Sequence, residues 1–356
     1  SPARIDVEQT GEADAWVQVN GSVEWVRGEI GTSGSSNLFW NQASGTLTVS
    51  GSANEGILRI HEGSWHLTAN RGVIFDGGGA AVTLEVAEAT NLSADSLRML
   101  GASTLVLGRS ASSLDLEQDW MMSAASEVRT AATGGSLVAS VGGKATLDRL
   151  RITDALRVST QGLLALEDGV TSTDGHLTLI AGNRFTLGAT SSVETGNPGT
   201  IDLRTLAGDL VMDPGAELKG TAGSLRMVSA AGMELGQLTA ATVGLRADGG
   251  DIHHADGAMT ALSVEEVRIE ASGSVGTASQ PLLLSGGKLA AMTAGGALLL
   301  TSNGNLAVDT VSVTVAEVLP DATTVDRTET PLADLVAGGA QDVRLTVTGS
   351  RTLRDG

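Results

Sequence analysis

The chain has 356 residues, a net charge of −19, no Cys and 47 Gly, and only three Phe and no Tyr. The absence of Cys excludes disulfides, zinc–thiolate sites and cysteine nucleophiles. The strong negative charge argues against binding to nucleic acid or to anionic lipid. A hydrophobic content of 41 % excludes an acidic disordered chain. With so few rings, any core must be thin and aliphatic.

Residues 1–130 contain short runs of alternating apolar and polar residues, for example GTLTVSG at 45–51 and AVTLEV at 81–86. Such alternation predicts β-strands with one buried face. All five Trp lie in this segment. We expect residues 1–130 to form an irregular, Trp-containing N-terminal part of a β-helix or a cap on its end.

Residues 131–311 repeat one unit: a short alternating run, a step at small residues and Gly, a second short run and a turn. The glycines at these steps are Gly182, Gly208, Gly232, Gly249, Gly273 and Gly295. They recur about every 22 residues, a period typical of solenoid repeats. The runs are too short for helices, so we expect each repeat to form one coil of two or three strands.

Coils of this kind stack about 4.8 Å apart, each strand on its counterpart in the next coil. For the whole chain, we therefore expect about 12–15 coils and a rod on the order of 60–70 Å long. Residues 312–356 lose the repeat and contain two prolines. We interpret them as a C-terminal cap or as the start of a next module.

Three phrases in the repeats resemble those of very large bacterial surface proteins of the filamentous-haemagglutinin type. They are LTLIAGN at 177–183, GSVGTASQPLLL at 273–284 and LLTSNGNL at 299–306. The resemblance implies a right-handed parallel β-helix, export to the cell surface, and a rod that adheres or spaces. The secretion domain of that family carries Asn-Pro-Asn motifs, whereas the one Asn-Pro here is Asn197-Pro198. We therefore expect an internal stretch of such a protein.

Two groups of residues are candidate binding sites. Tryptophan rings stack on sugar faces, so Trp16, Trp25, Trp40 and Trp65 are candidates for carbohydrate binding, with packing in the core or cap as the alternative. Carboxylate oxygens suit Ca²⁺, so Asp248, Asp251 and Asp256 are candidate metal ligands, with an ordinary polar turn as the alternative. Apart from Ca²⁺, we expect no cofactor.

These observations together predict an all-β protein, a right-handed parallel β-helix (β-solenoid) with irregular caps. The function expected is that of a rigid spacer and display rod in a secreted or cell-surface bacterial adhesin or filament, without enzyme activity. Its partners would be surface glycans or proteins of a host or neighbouring cell, or like modules of the same protein. Two alternatives stay open: a carbohydrate-binding adhesin tip that uses the Trp-rich segment, and a β-helix polysaccharide lyase or hydrolase. Enzymes of that kind carry their acid and base residues on one exposed sheet.

Overall fold

The structure is a computed structural model of the chain. It describes residues 15–20, 23–25, 28–30, 38–44, 46–50, 57–60, 64–131, 134–196, 198–257, 262–339 and 341–353. All regular elements in these ranges are β-strands, and the parallel strands stack as a β-solenoid of about 11 turns. The all-β solenoid expected from the sequence is confirmed. The described ranges contain no helix long and apolar enough to cross a membrane.

The strands follow one another closely along the chain. The first half contains β1 (Ala15–Asn20), β2 (Val23–Trp25), β3 (Gly28–Ile30), β4 (Leu38–Ser44), β5 (Leu47–Ser50), β6 (Ile57–Ile60), β7 (Trp65–Ala69), β8 (Val73–Val86), β9 (Thr90–Ala94), β10 (Leu97–Leu107), β11 (Ser112–Leu116), β12 (Trp120–Met122), β13 (Glu127–Thr130), β14 (Leu137–Val141), β15 (Ala145–Leu147), β16 (Arg149–Ile152) and β17 (Leu156–Thr160). The second half contains β18 (Leu164–Leu166), β19 (Gly169–Ser172), β20 (Leu177–Ala181), β21 (Phe185–Leu187), β22 (Ser192–Thr195), β23 (Ile201–Thr205), β24 (Leu210–Met212), β25 (Glu217–Ser229), β26 (Met233–Leu235), β27 (Gln237–Ala247), β28 (Ile252–His254), β29 (Ser263–Ala271), β30 (Leu282–Leu284), β31 (Gly287–Thr293), β32 (Leu298–Ser302), β33 (Leu306–Val308), β34 (Thr314–Val318), β35 (Thr324–Thr328), β36 (Leu335–Ala337), β37 (Val343–Val347) and β38 (Arg351–Leu353).

The chain divides into two compact units. The first comprises Ser1–Gly162, Gly169–Thr171 and Pro320–Ala322, and the second comprises Leu163–Asp168, Ser172–Leu319 and Thr323–Gly356. In the first unit, β4, β7, β9, β11, β14 and β17 pair in parallel, each with the next. One inward column of this sheet is buried and mostly aliphatic: Trp40, Leu67, Leu92, Leu114, Ala139 and Val158.

The second unit shows the repeat most regularly. Its strands β20, β23, β25, β27, β29 and β31 pair in parallel. Successive partners along one inward column are Leu179, Leu203, Met227, Leu245, Ile269 and Ala291, all buried. The steps along this column average about 22 residues, within the usual length of a solenoid repeat. The period read from the corner glycines is therefore confirmed.

The glycines recur because the corners of neighbouring coils lie in backbone contact. A Cβ added to Gly296 would lie 2.3 Å from the carbonyl carbon of Gly273, a distance that real Cβ atoms do not reach. The residue at the end of the preceding strand closes the corner. The hydroxyl groups of Thr205 and Thr293 donate hydrogen bonds of 2.5 Å to the carbonyls of Gly208 and Gly296. At these two corners and at Ser229–Gly232, a Thr or Ser thus lies three residues before the Gly whose carbonyl it binds.

The N-terminal tryptophans lie inside the coils wherever their side chains are described. Trp65 is buried between Leu38 and Thr90 of the neighbouring strands, and Trp120 is buried beside Ala145. The small side chains of Thr90 and Ala145 leave room for the large indole rings in a narrow column. Residues 64–130 therefore form solenoid coils, which favours the first of the two interpretations of the N-terminal segment.

The C-terminal residues divide into two parts. Residues 311–332 leave the stack and carry an antiparallel hairpin of β34 and β35. Strands β36, β37 and β38 then return to the stack, in parallel with β31, β32 and β33. The chain therefore makes fewer coils than expected, because residues 311–332 form none and because some steps are longer than the average, such as the step from Leu38 to Trp65.

We predict that the aliphatic columns dominate stability. Leu92→Ala removes a buried side chain between Leu67 and Leu114, and should lower the free energy of unfolding by about 2–5 kcal/mol. Ser93→Ala, at the exposed neighbouring position, is the matched control and should change it by less than about 0.5 kcal/mol. Urea unfolding followed by tryptophan fluorescence measures both, since all Trp lie in the first unit. Equal effects of the two variants would contradict the columnar core.

Candidate functional site

The tryptophans proposed for sugar binding do not form a described platform. Trp40 and Trp65 are buried, and the Nε1 of Trp40 donates a hydrogen bond of 3.2 Å to the side chain of Gln42. Neither ring presents a face to solvent, so Trp40 and Trp65 fit the alternative of packing in the core. The side chains of Trp16 and Trp25 lie outside the described residues. Large rings fill gaps in a narrow core as readily as they line a surface, so the sequence left both interpretations open.

The proposed calcium ligands have separate partners. The carboxylate of Asp248 pairs with the guanidinium of Arg246 at 2.7 Å, and that of Asp251 accepts a hydrogen bond from the backbone N–H of Ser274 at 2.5 Å. Asp256 is exposed in the turn after β28. In the described ranges no group of three or more His, Asp or Glu could hold a metal ion. The polar-turn alternative describes Asp251, whose side chain joins two neighbouring coils.

A different cluster of polar residues lies beneath the C-terminal hairpin. We call residues 311–332 the strap. Residues 311–318 cross the outward face of the sheet made by β20, β23, β25, β27, β29 and β31. Val311, Val313 and Val315 are buried and pack with Ala290 and Leu332. An apolar stretch of alternating valines thus seats one end of the strap on the solenoid.

Further along, the strap is bound by backbone and side-chain hydrogen bonds. The backbone N–H groups of Ala316 and Val318 donate to the hydroxyl groups of Thr200 and Thr178 at 3.0 and 2.9 Å. The Nε of Arg268 donates to the carbonyl of Thr330 at 2.9 Å. The strap therefore satisfies part of its backbone with side chains of the sheet below.

Gly244 makes room for the strap. Its position faces outward on β27, in register with Arg226 and Arg268 of the neighbouring strands. A Cβ at this position would lie 3.3–3.4 Å from the side chain of Val313. The absence of a side chain lets the strap lie close to the sheet.

The centre of the contact is a charged cluster of six residues. It comprises three carboxylates and three guanidinium groups, those of Asp202, Glu317, Glu329, Arg204, Arg226 and Arg327. Asp202 on β23 is fully buried and pairs with Arg204 at 2.8 Å and with Arg226 at 2.9 Å. Since the formal charges cancel, the cluster can be buried at lower cost than a lone ion.

The strap supplies the other two carboxylates. Glu317 is buried and its two oxygens lie 2.6 Å from nitrogens of Arg204 and Arg327. Glu329 accepts a hydrogen bond from the Nε of Arg226. Every carboxylate of the cluster has at least one guanidinium partner. The arrangement is therefore suited to fastening the strap, and it offers no carboxylate that stands ready as a general base.

Burial and pairing act on the pKa values in opposite directions. Burial raises the pKa of Asp202, despite the nearby charges of Arg204 and Arg226. Burial also acts to raise the pKa of Glu317, but the hydrogen bonds and charges of Arg204 and Arg327 outweigh it and lower this pKa to about 2. Glu317 therefore stays ionised in the folded protein far into the acid range.

The sequence carries one signal for this site. Arginine recurs once per coil at Arg204, Arg226, Arg246 and Arg268. The acidic residues of residues 311–332 follow an alternating Val run. A period shared by arginines in an acidic chain indicates a common partner surface. The spacing of the arginines does not indicate that the partner is the strap, a segment far along the chain.

The fold places the chain in the class of parallel β-solenoids. Comparison with known proteins found no matching family model, no similar curated protein and no similar solved structure.

We predict that Glu317 makes stability depend on acidity. Its pKa of about 2 in the folded protein lies below the ordinary value of 4.5, so its contribution is present above pH 4.5 and is lost as the pH falls towards 2. The shift corresponds to about 3 kcal/mol. Asp202, with a raised pKa, titrates in the opposite sense.

Glu317→Gln should therefore lower the urea midpoint of the second unit at pH 6 and flatten its decline between pH 4.5 and 2. Far-UV circular dichroism measures the midpoint, while tryptophan fluorescence reports the first unit as an internal reference. Asp213→Asn, which exchanges an exposed acid, is the control. An unchanged pH profile in Glu317→Gln would contradict the assignment.

Proposed function

We propose that the chain is a structural segment of a secreted or cell-surface bacterial protein, which acts as a rigid spacer and display rod. The observation that carries this proposal is the in-register stacking of one coil on the next, with the same inward positions buried in each. In the second unit this holds from Leu179 to Ala291 along one column. A repeated coil adds a constant length, which is the property that a spacer needs.

The outward face of the first unit supports display. One exposed column consists of small polar side chains on successive strands, those of Gln18, Asn41, Thr68, Ser93, Asp115 and Ser140. Short polar residues keep a flat sheet face hydrated and free of apolar patches. Such a face can present loops or partners without aggregating.

The strands of the last coil support contact with a like module. In the described part of the chain, β36, β37 and β38 each have one parallel neighbour, on the same side of the coil. Their apolar side chains are exposed, 45 % for Val336, 46 % for Val343 and 73 % for Leu353. Exposed apolar side chains on these strands suit contact with another coil of the same kind. The resemblance to filamentous-haemagglutinin repeats agrees with this partner.

The spacer proposal predicts that a coil can be removed with a defined loss of length. Deletion of residues 112–136 removes β11, β12 and β13 and lets Leu137 follow Ala111. With spin labels on the variants Gln18→Cys and Ser140→Cys, the five strand steps between the labelled Cα atoms correspond to about 24 Å. The deletion should shorten this distance by about 5 Å.

Pulsed dipolar spectroscopy measures the distance, and the chain has no native Cys to interfere. The pair Gln18→Cys and Ser93→Cys, which lies before the deletion, is the control and should stay unchanged. Loss of the β-sheet circular dichroism signal, or an unchanged distance in the deleted protein, would contradict a modular spacer.

The cell-surface proposal predicts accessibility on intact bacteria. An antibody raised against the purified chain should label source cells without permeabilisation, and added protease should remove the label. A cytoplasmic protein probed in parallel should be labelled only after permeabilisation. Labelling of the chain that needs permeabilised cells would overturn the location and, with it, the display function.

A further inference from the structure

The strap runs along the stacking direction of the second unit. Residues 311–318 contact Thr178 on β20 through Val318, Arg204 on β23 through Glu317 and Gly244 on β27 through Val313, in the order of the stack. The valines at the other end pack with Ala290 on β31. Strands β20 to β31 are six neighbours and span about 24 Å in five steps. The extended strap from residue 311 to 318 spans about 23 Å. The two lengths match, so one strap strand reaches across the whole group.

The strap is fastened along this entire length by three kinds of contact. Buried valines hold the end near Ala290, the charged cluster holds the middle, and bonds to threonine hydroxyls hold the part nearest the hairpin turn. The chain separations are large: 140 residues for Val318 with Thr178 and 103 for Glu329 with Arg226. These two contacts therefore join the strap to coils far from it in sequence.

We propose that the strap is a longitudinal brace that makes the coils of the second unit open together. In a solenoid each coil contacts only its neighbours, so opening can start at one coil and spread. A strand that is fastened to several coils couples them, because no single coil can move outward without breaking contacts with the strap. The sheet made by β4, β7, β9, β11 and β14 shows the unbraced case, since its outward column from Asn41 to Ser140 is exposed.

An engineered disulfide tests whether the strap is seated. The variants Gly244→Cys and Val313→Cys bring the Cβ positions to about 3.4 Å, close to the separation that a disulfide needs. These are the only thiols in the chain. The disulfide should form within one molecule on mild oxidation and should be reversed by dithiothreitol. Mass spectrometry identifies the linked peptides, and failure to form the bond in folded protein would overturn the proposal.

Hydrogen exchange tests the coupling. The double variant Glu317→Gln, Glu329→Gln removes both carboxylates that the strap brings to the charged cluster, and leaves Asp202 as the one carboxylate of the cluster that pairs with Arg204 and Arg226. Amide exchange should accelerate by at least about tenfold across β20, β23, β25 and β27 together. Peptides of the first unit, β7 to β11, should exchange as in the wild type. Exchange that changes in one strand of the second unit only, or in none, would overturn the brace.

Rescue by the disulfide separates a brace from local damage. With Gly244→Cys and Val313→Cys added to the double variant, oxidation should restore slow exchange in the second unit, and reduction should remove it again. If the oxidised protein exchanges as fast as the reduced protein, the charged cluster acts only on its own surroundings and the proposal fails. The brace proposal rests on the fold alone. Its failure would leave the spacer proposal intact, and failure of the spacer proposal would leave the brace proposal intact.

Discussion

The parallel stacking of strands in register is the constraint on which the rest of the structure depends. Coils that hydrogen-bond about 4.8 Å apart must place equivalent residues directly above one another. Each inward column then needs side chains that fit the same narrow section at every step, which explains the run Leu179, Leu203, Met227, Leu245. At the corners, backbone lies against backbone, and only glycine fits at positions such as Gly296.

The same constraint governs the outside of the second unit. Outward positions of a solenoid sheet carry polar and charged residues, so anything that covers this face must neutralise them. The strap does so with Glu317 and Glu329, which complete the charges of Arg204 and Arg226 around the buried Asp202. Valines and glycine form the dry part of the same contact. A braced stack of this kind suits a segment whose proposed task is to hold a length and resist opening.

The candidate site residues that the structure describes have structural roles, for one physical reason. A residue type that suits a ligand also suits a structural task, and the sequence does not say which neighbour it meets. Trp65 fills a core column beside Thr90, although it was a candidate for a sugar-binding surface. Asp251 joins the turns of two coils through Ser274, where a calcium ligand was expected. The recurrent arginines are visible in the sequence, but the strap carboxylates that meet Arg204 and Arg226 do not follow from their spacing.

By itself, the sequence determined the all-β class, the period of the repeat and the aliphatic columns. It could do so because alternation and recurring glycines are local signals that every coil repeats. Only the tertiary structure decided that residues 311–332 turn back across earlier strands that are five steps apart. They bind Thr178 and Arg226 directly, and they share Arg226 with Asp202. Those contacts join residues far apart in the chain and occur once, so no repeated sequence pattern predicts them.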